Sequence, residues 1–374
     1  MNTPDRQEFA IKLKRLRAFL AKEGYDAALM GTAANFSWLS CGGKNKVLLN
    51  TDYGVSVLLV TQERLVCVAN TMDARRLAEQ ELAGLGFEMV SLKWYAEPVA
   101  AHAQKLTGGG RLLADLPLPG AEGAGAEVNF QKFYAVHYPL TDPELLRYRA
   151  MGRDAEEVMR RVADQTRPGM SGCDVETLLL TEFAAKKLNV TCLIVGSDEE
   201  IWNYRHPLPS PKKIEHQLML VLAVERHGLN VPITRMVWFG GEPPADTARR
   251  FRAVTNIAAR TIAACRPGVR FAELMTRQKG WYTAEGFAEE TENHFMGGIT
   301  GYIPNDSSLC LDDSAVIQGR QAFNWFITIT GANTEDTMIT TERGPELLTC
   351  TGRWPVKPIE VEGLKLELPQ ILMK

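Results

Sequence analysis

The sequence predicts an α+β protein of two domains, and three observations lead to this prediction. Helical and strand-like segments alternate over residues 1–140 of the 374-residue chain, as in a compact α/β unit. A long amphipathic helix follows from about residue 141. After it, two helix, Arg-Pro-Gly, helix units occur, each followed by apolar strand runs. We therefore place an α/β domain at 1–140 and an antiparallel sheet with outer helices at 141–374.

The elements of the first domain follow from hydrophobic spacing. Apolar residues at near-helical spacing predict a helix over 4–23, and "YDAALM", "GVSVLLV" and "RLVCVAN" predict three short strands. The segment "TMDARRLAEQELAGLG" predicts a helix that ends near its last two glycines. The glycine-rich stretch from Leu106 to Glu127 has no G-K-[ST] phosphate-loop pattern. We expect it to form surface connections.

The second domain shows an internal repeat. Its first helix has Asp142 as a predicted N-cap, and Arg-Pro-Gly recurs at 167–169 and 266–268 between helices. "VLAVERHGLNVPITRMVWFG", Val221 to Gly240, predicts two strands joined by a hairpin turn at Gly228, with charged residues at its tip. Two pseudo-symmetric halves of this kind build one sheet, and a cleft between them is the default place for a site.

Composition excludes several classes of function. The formal net charge is −3 and the pI about 6.1, so no excess of positive charge favours a nucleic-acid or anionic membrane partner. The first residues mix charges into the apolar positions, unlike a signal peptide, and no stretch is apolar enough to span a membrane. We expect a cytoplasmic protein. The seven cysteines are far apart without C-x-x-C spacing, which favours reduced thiols over a zinc site or disulfides.

The second domain resembles a known family. The repeat, "RHPLPSPKKIEHQLMLVLA", "HFMGGITGY" and "NTEDTMITTERGPELLT" together are similar to the creatinase and Xaa-Pro aminopeptidase family. The resemblance covers nearly the whole chain. It implies a pita-bread C-terminal domain behind a creatinase-type N-terminal domain. With it we expect a homodimer that acts on a small-molecule substrate.

The resemblance also implies where metal ligands belong. The metallopeptidases of this family hold two metal ions with two aspartates, a histidine and two glutamates. The matching positions here are Val221, Pro232, Gly298, Phe326 and Glu335. Divalent metals need several oxygen or nitrogen donors at about 2 Å, and only the last position supplies one. A shifted alignment proposes His294 as a metal ligand. His294 fits better as a histidine that is not a ligand, four positions upstream of the missing histidine. The sequence therefore predicts no dinuclear metal centre and no cofactor.

One member of the family points to a different chemistry. Creatinase has the same fold without a metal and uses a histidine as acid and base on a guanidinium C–N bond. The resemblance implies that this histidine precedes the strand of the first metal aspartate, and "NYRHPLPSPKKI" places His206 there. A positioned histidine contributes about 10²–10⁴ in rate as a general base. The other interpretation of His206 is a hydrogen bond that fixes a loop.

Further candidates line the predicted cleft. Glu335 and Asp336 are adjacent on a strand, so we expect one to face the cleft and the other solvent. We assign Glu335 to an ammonium or guanidinium group of the substrate. For His294 a substrate contact and a purely structural hydrogen bond are equally open. The remaining candidate substrate contacts are Asn230, Thr234, Glu225, Tyr302 and Trp202.

Strand parity supports two of these five residues as substrate contacts, and the other three also fit a structural role. Strand parity places Asn230 and Thr234 on the face of Pro232, as polar lining of the former metal pocket. Glu225 also fits a solvated hairpin tip. Trp202 and Tyr302 also fit core packing.

Three functions compete on this sequence. The leading hypothesis is metal-independent, creatinase-like hydrolysis of an amide or amidine C–N bond, with His206 as acid and base. A second is an Xaa-Pro peptidase with residual metal dependence. A third is a non-catalytic protein that binds a small molecule.

Overall fold

A computed structural model describes residues 5–115, 117, 126–307 and 314–374. Cys310 and the central part of the glycine-rich stretch lie outside the described residues. The chain divides into two compact units, Met1–Thr141 and Asp142–Lys374. Among the described helices, none combines the length and the apolar character that crossing a membrane requires.

The first unit is a mixed sheet with helices. Its strands lie in the order β4-β3-β2-β1-β5-β6. Their bounds are β1 Ala27–Thr32, β2 Tyr53–Thr61, β3 Leu65–Asn70, β4 Glu88–Leu92, β5 Leu112–Ala114 and β6 Ala126–Val128. The helices are α1 Arg6–Glu23, α2 Ala33–Leu39, α3 Ala74–Arg76, α4 Val99–Lys105 and α5 Tyr134–His137. The first predicted helix and the three predicted strands are confirmed.

The glycine-rich stretch departs from its prediction. Leu112–Ala114 forms a buried strand parallel to β1 rather than a surface connection. The next residue, Asp115, is also buried and accepts the N–H groups of Gly31 and Thr32, each at 2.9 Å. The glycines around this strand hid a short apolar run, and a run of three residues carries little sequence signal.

The second unit is a curled antiparallel sheet with helices. Its helices are α6 Asp142–Gln165, α7 Gly172–Ala185, α8 Glu199–Asn203, α9 Ala245–Ala264 and α10 Phe271–Ala284. Its strands are β7 Asn189–Ser197, β8 Gln217–Arg226, β9 Leu229–Trp238, β10 Gly298–Ile299, β11 Ala322–Ile329, β12 Ala332–Thr341, β13 Gly344–Leu347, β14 Val356–Val361, β15 Leu364–Pro369 and β16 Leu372–Met373. The main order is β10-β11-β12-β9-β8-β7, and β14 pairs separately with β15. The predicted α+β class is confirmed.

The two Arg-Pro-Gly turns occupy equivalent places in two halves of this sheet. The N–H of Gly169 donates to the carbonyl of Ile214, and the N–H of Gly268 donates to that of Ile317, both at 2.9 Å. Both glycines have positive φ, +87° and +90°, which other residues adopt at a cost. The halves are β7-β8-β9 and β10-β11-β12.

The halves meet along a short seam between β9 and β12. Within the described strands, their backbone pairing is limited to Thr234 opposite Glu335. Beyond it, β13 pairs with β12 and β16 pairs with β9. The carbonyl of Pro232 accepts the hydroxyl of Thr337 at 2.7 Å, so the imide nitrogen of Pro232 faces the same side. Since the ladder to β12 ends there, the missing N–H of proline is tolerated in this strand.

A buried ion pair closes the other face of the seam. Arg235 donates to Asp336 at 2.9 Å and to the carbonyl of Thr349 at 2.6 Å. Asp336 is 4% exposed, so the expectation that it faces solvent is wrong. The adjacent carboxylates do point to opposite faces, but α9 packs on β11 and β12 and the strand is buried on both sides.

Two helical glycines, one packed against the protein and one not, give a test of how closely the helices of the second unit pack. A Cβ on Gly152 of α6 would lie 2.1 Å from the carbonyl oxygen of Leu348, whereas one on Gly280 of α10 meets nothing within 4 Å. We expect Gly152→Ala to lower the free energy of unfolding by about 1–3 kcal/mol through overpacking. Gly280→Ala should raise it by about 0.5–1 kcal/mol. Thermal unfolding of both variants checks this, and equal melting temperatures would contradict it.

Candidate functional site

The candidate site lies on one face of the seam. Register places Val221, Thr234, Glu335 and Phe326 in one row across four strands. Residues directly opposite each other in antiparallel strands share a face. In the adjoining row Gly298 lies opposite Asn324 of β11. Pro232 belongs to this second row, because its carbonyl accepts the hydroxyl of Thr337, which lies opposite Asn324. All five positions that the resemblance assigns to metal ligands therefore lie in two adjoining rows of this face.

The side chains at these positions do not fit a metal pair. The side chains of valine, proline and phenylalanine have no donor atom, glycine has no side chain, and the carboxylate of Glu335 alone leaves most coordination positions unfilled. Over the described part of the chain, no group of three or more His, Cys, Asp or Glu side chains could hold a metal ion. A dinuclear centre of the family type is not built by these residues.

Glu335 is a buried carboxylate held by two donors. It is 5% exposed and accepts the hydroxyl of Thr234 at 2.8 Å and the amide of Asn324 at 2.7 Å. Burial raises the pKa of Glu335 from 4.5 to about 7, although these two hydrogen bonds oppose the shift. The nearby charge of Asp336 raises this pKa further, and Arg235 lowers it. Glu335 therefore exchanges its proton near neutral pH.

Two histidines from distant parts of the chain meet on this side of the sheet. Nε2 of His206 lies 3.1 Å from Nε2 of His294, with the rings edge to face. His206 is exposed, whereas His294 is half-buried. The centroid of the His294 ring lies 4.4 Å from that of Phe295 and 4.7 Å from that of Phe326. Phe326 is paired with Glu335 in the sheet. The histidine pair therefore lies next to the row that contains the carboxylate.

The hydrogen bonds define the tautomers of the pair. Nδ1 of His294 contacts the carbonyl of Phe295, which only accepts, so this nitrogen carries the proton. Burial, and then the charges of His206 and Arg205, lower the pKa of His294. Neutral His294 therefore accepts at Nε2, and His206 donates from its own Nε2. In the neutral form of His206, the lone pair at Nδ1 is then available to act as a base.

An ion pair fastens the two loops that carry these histidines. Arg205 pairs with Glu290, which also accepts the N–H of Thr330 at 2.9 Å. Arg205 adjoins His206 in the chain, and Glu290, in the 3-10 helix Ala288–Glu292, lies four residues before His294. The ion pair is therefore placed to hold the two rings together.

Asn230 and Glu225 lie near the hairpin tip. The amide of Asn230 donates to the carbonyls of Gly228 and Gly301, each at 3.2 Å. Glu225 accepts the N–H of Gly228 at 2.6 Å and the amide of Asn189 at 2.7 Å. Both side chains bond to the protein itself and fix the turn.

Trp202 and Tyr302 are also engaged within the protein. Trp202 donates to Gln217 at 3.3 Å and packs under the guanidinium of Arg250. Tyr302 is buried, and its hydroxyl donates to Glu144 of α6 at 2.6 Å. Of the eight predicted site residues, the structure thus brings His206 next to His294 and Thr234 next to Glu335.

Sequence reasoning missed the second partner of the carboxylate. Asn324 bonds to Glu335 and also to the amide of Asn305. Asn324 lies two residues before Phe326 in the same strand, so the alternation of side chains predicts that both share one face of the sheet. The contact of Asn305 had no comparable signal, since Asn305 lies in a loop.

The comparisons with known proteins agree with this architecture. A model of metallopeptidase family M24 matches residues 147–342. A search of curated proteins found no match.

Solved structures give the same fold. An Xaa-Pro dipeptidase from Bacillus anthracis superimposes with a TM-score of 0.76 at 19% identity, covering 98% of this chain and 100% of that one. An X-Pro aminopeptidase from Thermotoga maritima MSB8 gives 0.74 at 16% identity, with 97% and 99% covered. The N-terminal domain of the FACT complex subunit SPT16 from Cicer arietinum (chickpea) gives 0.69 at 11% identity, with 93% and 97% covered.

The raised pKa of Glu335 predicts a pH-dependent stability. The folded state binds this proton more tightly than the unfolded chain, so the stabilisation is complete below about pH 4.5 and is lost as pH rises through about 7. A shift of this size corresponds to about 3 kcal/mol. The stability of the wild type relative to Glu335→Gln should therefore fall over this range, measured by denaturant unfolding at several pH values. Glu225→Gln removes a carboxylate elsewhere in the sheet and is the control. A constant difference between wild type and Glu335→Gln would contradict the assignment.

A second prediction concerns the histidine pair. Burial, and then the positive charge that His206 carries when protonated, lower the pKa of His294, so His206→Ala should move the titration of His294 towards its ordinary value of 6.5. NMR titration of labelled imidazoles measures this shift and reports the tautomer directly. His216→Ala, which removes a histidine stacked on Trp238, should leave the titration of His294 unchanged. An unshifted titration in His206→Ala would show that the two rings do not interact.

Proposed function

Because the chain belongs to metallopeptidase family M24, we propose that it is a hydrolase whose acid and base is His206 rather than a metal-bound water. The reaction is hydrolysis of a C–N bond, amide or amidine in type, in a small polar substrate. The family supplies the C–N hydrolase class. The replacement of four ligand positions by side chains without donors supports the metal-independent route.

The observation that carries the proposal is the contact between His206 and His294. It holds an exposed imidazole in one orientation, with Nε2 occupied and Nδ1 available. A base oriented by a second group is an arrangement typical of general acid–base and nucleophilic catalysis. His294 acts here as a positioning residue.

The steps follow from this orientation. Nδ1 of His206 takes a proton from water as the water oxygen attacks the carbon of the C–N bond. The imidazolium is stabilised by its hydrogen bond to neutral His294. It then returns the proton to the leaving nitrogen as the C–N bond breaks, so that water is consumed and an amine or ammonia is released.

A second candidate is a protein that binds a small molecule without converting it. The floor of the former metal site is closed, since Val221, Phe326 and Glu335 are 5%, 6% and 5% exposed. The same fold is found in a domain named as a FACT complex subunit rather than as a peptidase. These observations favour recognition over chemistry if no substrate is turned over.

Turnover by defined variants tests the proposal. The protein is screened on small amides, amidines, ureas, guanidines and Xaa-Pro dipeptides, with released amine or ammonia as the readout. On the substrate found, His206→Ala should lower kcat by about 10²–10⁴. His294→Ala should lower kcat less and shift the pH profile, because it frees the ring of His206. His216→Ala is the matched control and should keep full activity.

Metal content separates the remaining alternatives. We expect activity to survive dialysis against a chelator. Loss of activity that Mn, Co or Zn restores would establish the residual metallopeptidase instead. A compound that raises the melting temperature but is recovered unchanged would establish the binding protein.

A further inference from the structure

A buried acceptor on the site face meets no donor from the residues that the structure describes. Asn333 lies two residues before Glu335 on β12, so the two side chains share a face. It is 2% exposed, and its Oδ1 is buried without a hydrogen-bond partner among the described residues. Buried polar atoms are almost always paired in folded proteins, because an unpaired one loses its hydration without compensation. The oxygen is therefore a place where a donor is expected.

The surroundings of Asn333 fix which way its amide points. Nδ2 lies 3.9 Å from Sδ of Met219, and the backbone N–H lies 3.3 Å from Sδ of Met236. A thioether sulfur accepts weakly and cannot donate. The reversed amide would place oxygen against sulfur, so the NH₂ faces Met219 and the oxygen is directed elsewhere.

The loop that carries His206 crosses the row of Asn333. Thr328 lies opposite Asn333 at one end of this row, and Arg205 donates to its hydroxyl at 3.5 Å. The row continues from Asn333 through Met236 and Met219 to Gly196 at its other end. A Cβ added to Gly196 would lie 2.4 Å from the ring of Pro207. The histidine between these two loop residues therefore lies on the side of the sheet to which Asn333 belongs.

We propose that Oδ1 of Asn333 accepts an N–H of the substrate, so that the site selects a planar nitrogen-bearing group, an amidinium or a primary amide. The inference rests on the proposed function and names the chemical group that the site recognises. A site built around an acceptor discriminates strongly against an isosteric ligand that lacks the donor. A carboxylate of the same shape is therefore rejected.

Three small probes of the same shape test the selection. Acetamidinium has only donors, acetamide has donors and an acceptor, and acetate has only acceptors. Binding is followed by NMR of the protein labelled with ¹³C in its methionine methyl groups. The methyls of Met219 and Met236 report on the site, and Met219→Leu and Met236→Leu assign them. We expect acetamidinium and acetamide to shift both signals, and acetate to shift neither.

Variants of Asn333 complete the test. Asn333→Leu keeps the shape but removes the acceptor, and should weaken acetamidinium binding at least about tenfold. Asn333→Asp keeps acceptors and should bind acetamidinium at least as tightly as the wild type. Asn256→Leu, on α9, is the control and should bind like the wild type. Equal affinity of Asn333→Leu and wild type, equal binding of acetate and acetamidinium, or no methyl shift with any probe would overturn the inference.

Probe binding and turnover fail independently. Acetamidinium binding that depends on Asn333, together with full turnover by His206→Ala, would support this inference and contradict the proposed mechanism. Loss of turnover in His206→Ala, together with probe binding that ignores Asn333→Leu, would sink this inference and leave the proposed mechanism intact.

Discussion

The second unit depends on one cross-strand contact, that of Thr234 with Glu335. Two three-stranded halves join through this pairing, and the neighbouring residues, Arg235 and Asp336, form a buried ion pair on the opposite face. Removal of one partner from a buried ion pair is strongly destabilising, because the other charge stays buried without compensation. The seam is therefore held by polar contacts on both faces, at the point where the backbone ladder is shortest.

The same seam explains the chemistry of the site. The resemblance implies several carboxylates there in the metallopeptidases of the family, and buried carboxylates that crowd one another must bind a cation or take up a proton. This chain keeps one carboxylate, Glu335, and places Val221 and Phe326 beside it. Two neutral donors then suffice for the carboxylate, and burial raises its pKa to about 7. This fold is thus compatible with a single carboxylate at the seam.

Function is proposed for the loops above the sheet. The sheet supplies a closed floor, while His206 and His294 come from separate loops that an ion pair of Arg205 with Glu290 fastens together. Residues of loops are the usual carriers of function on a rigid scaffold. Pro232 in β9 belongs to the scaffold. Its nitrogen faces β12 at a point where the backbone hydrogen-bond ladder between the two strands has already ended.

The sequence by itself determined the fold class, the repeat and the hairpin, because these depend on spacing along the chain. It also gave the side chains without donor atoms at four of the five positions where the resemblance places metal ligands. It also indicated that Glu335 and Asp336 point to opposite faces. It did not determine that both faces are buried, or that His294 adjoins His206, 88 residues away. Nor did it indicate that Asn324 bonds to Glu335, or that the oxygen of Asn333 has no donor within the described part of the chain. Only the tertiary structure decided these contacts, because strand register and loop paths bring together side chains that no local pattern relates.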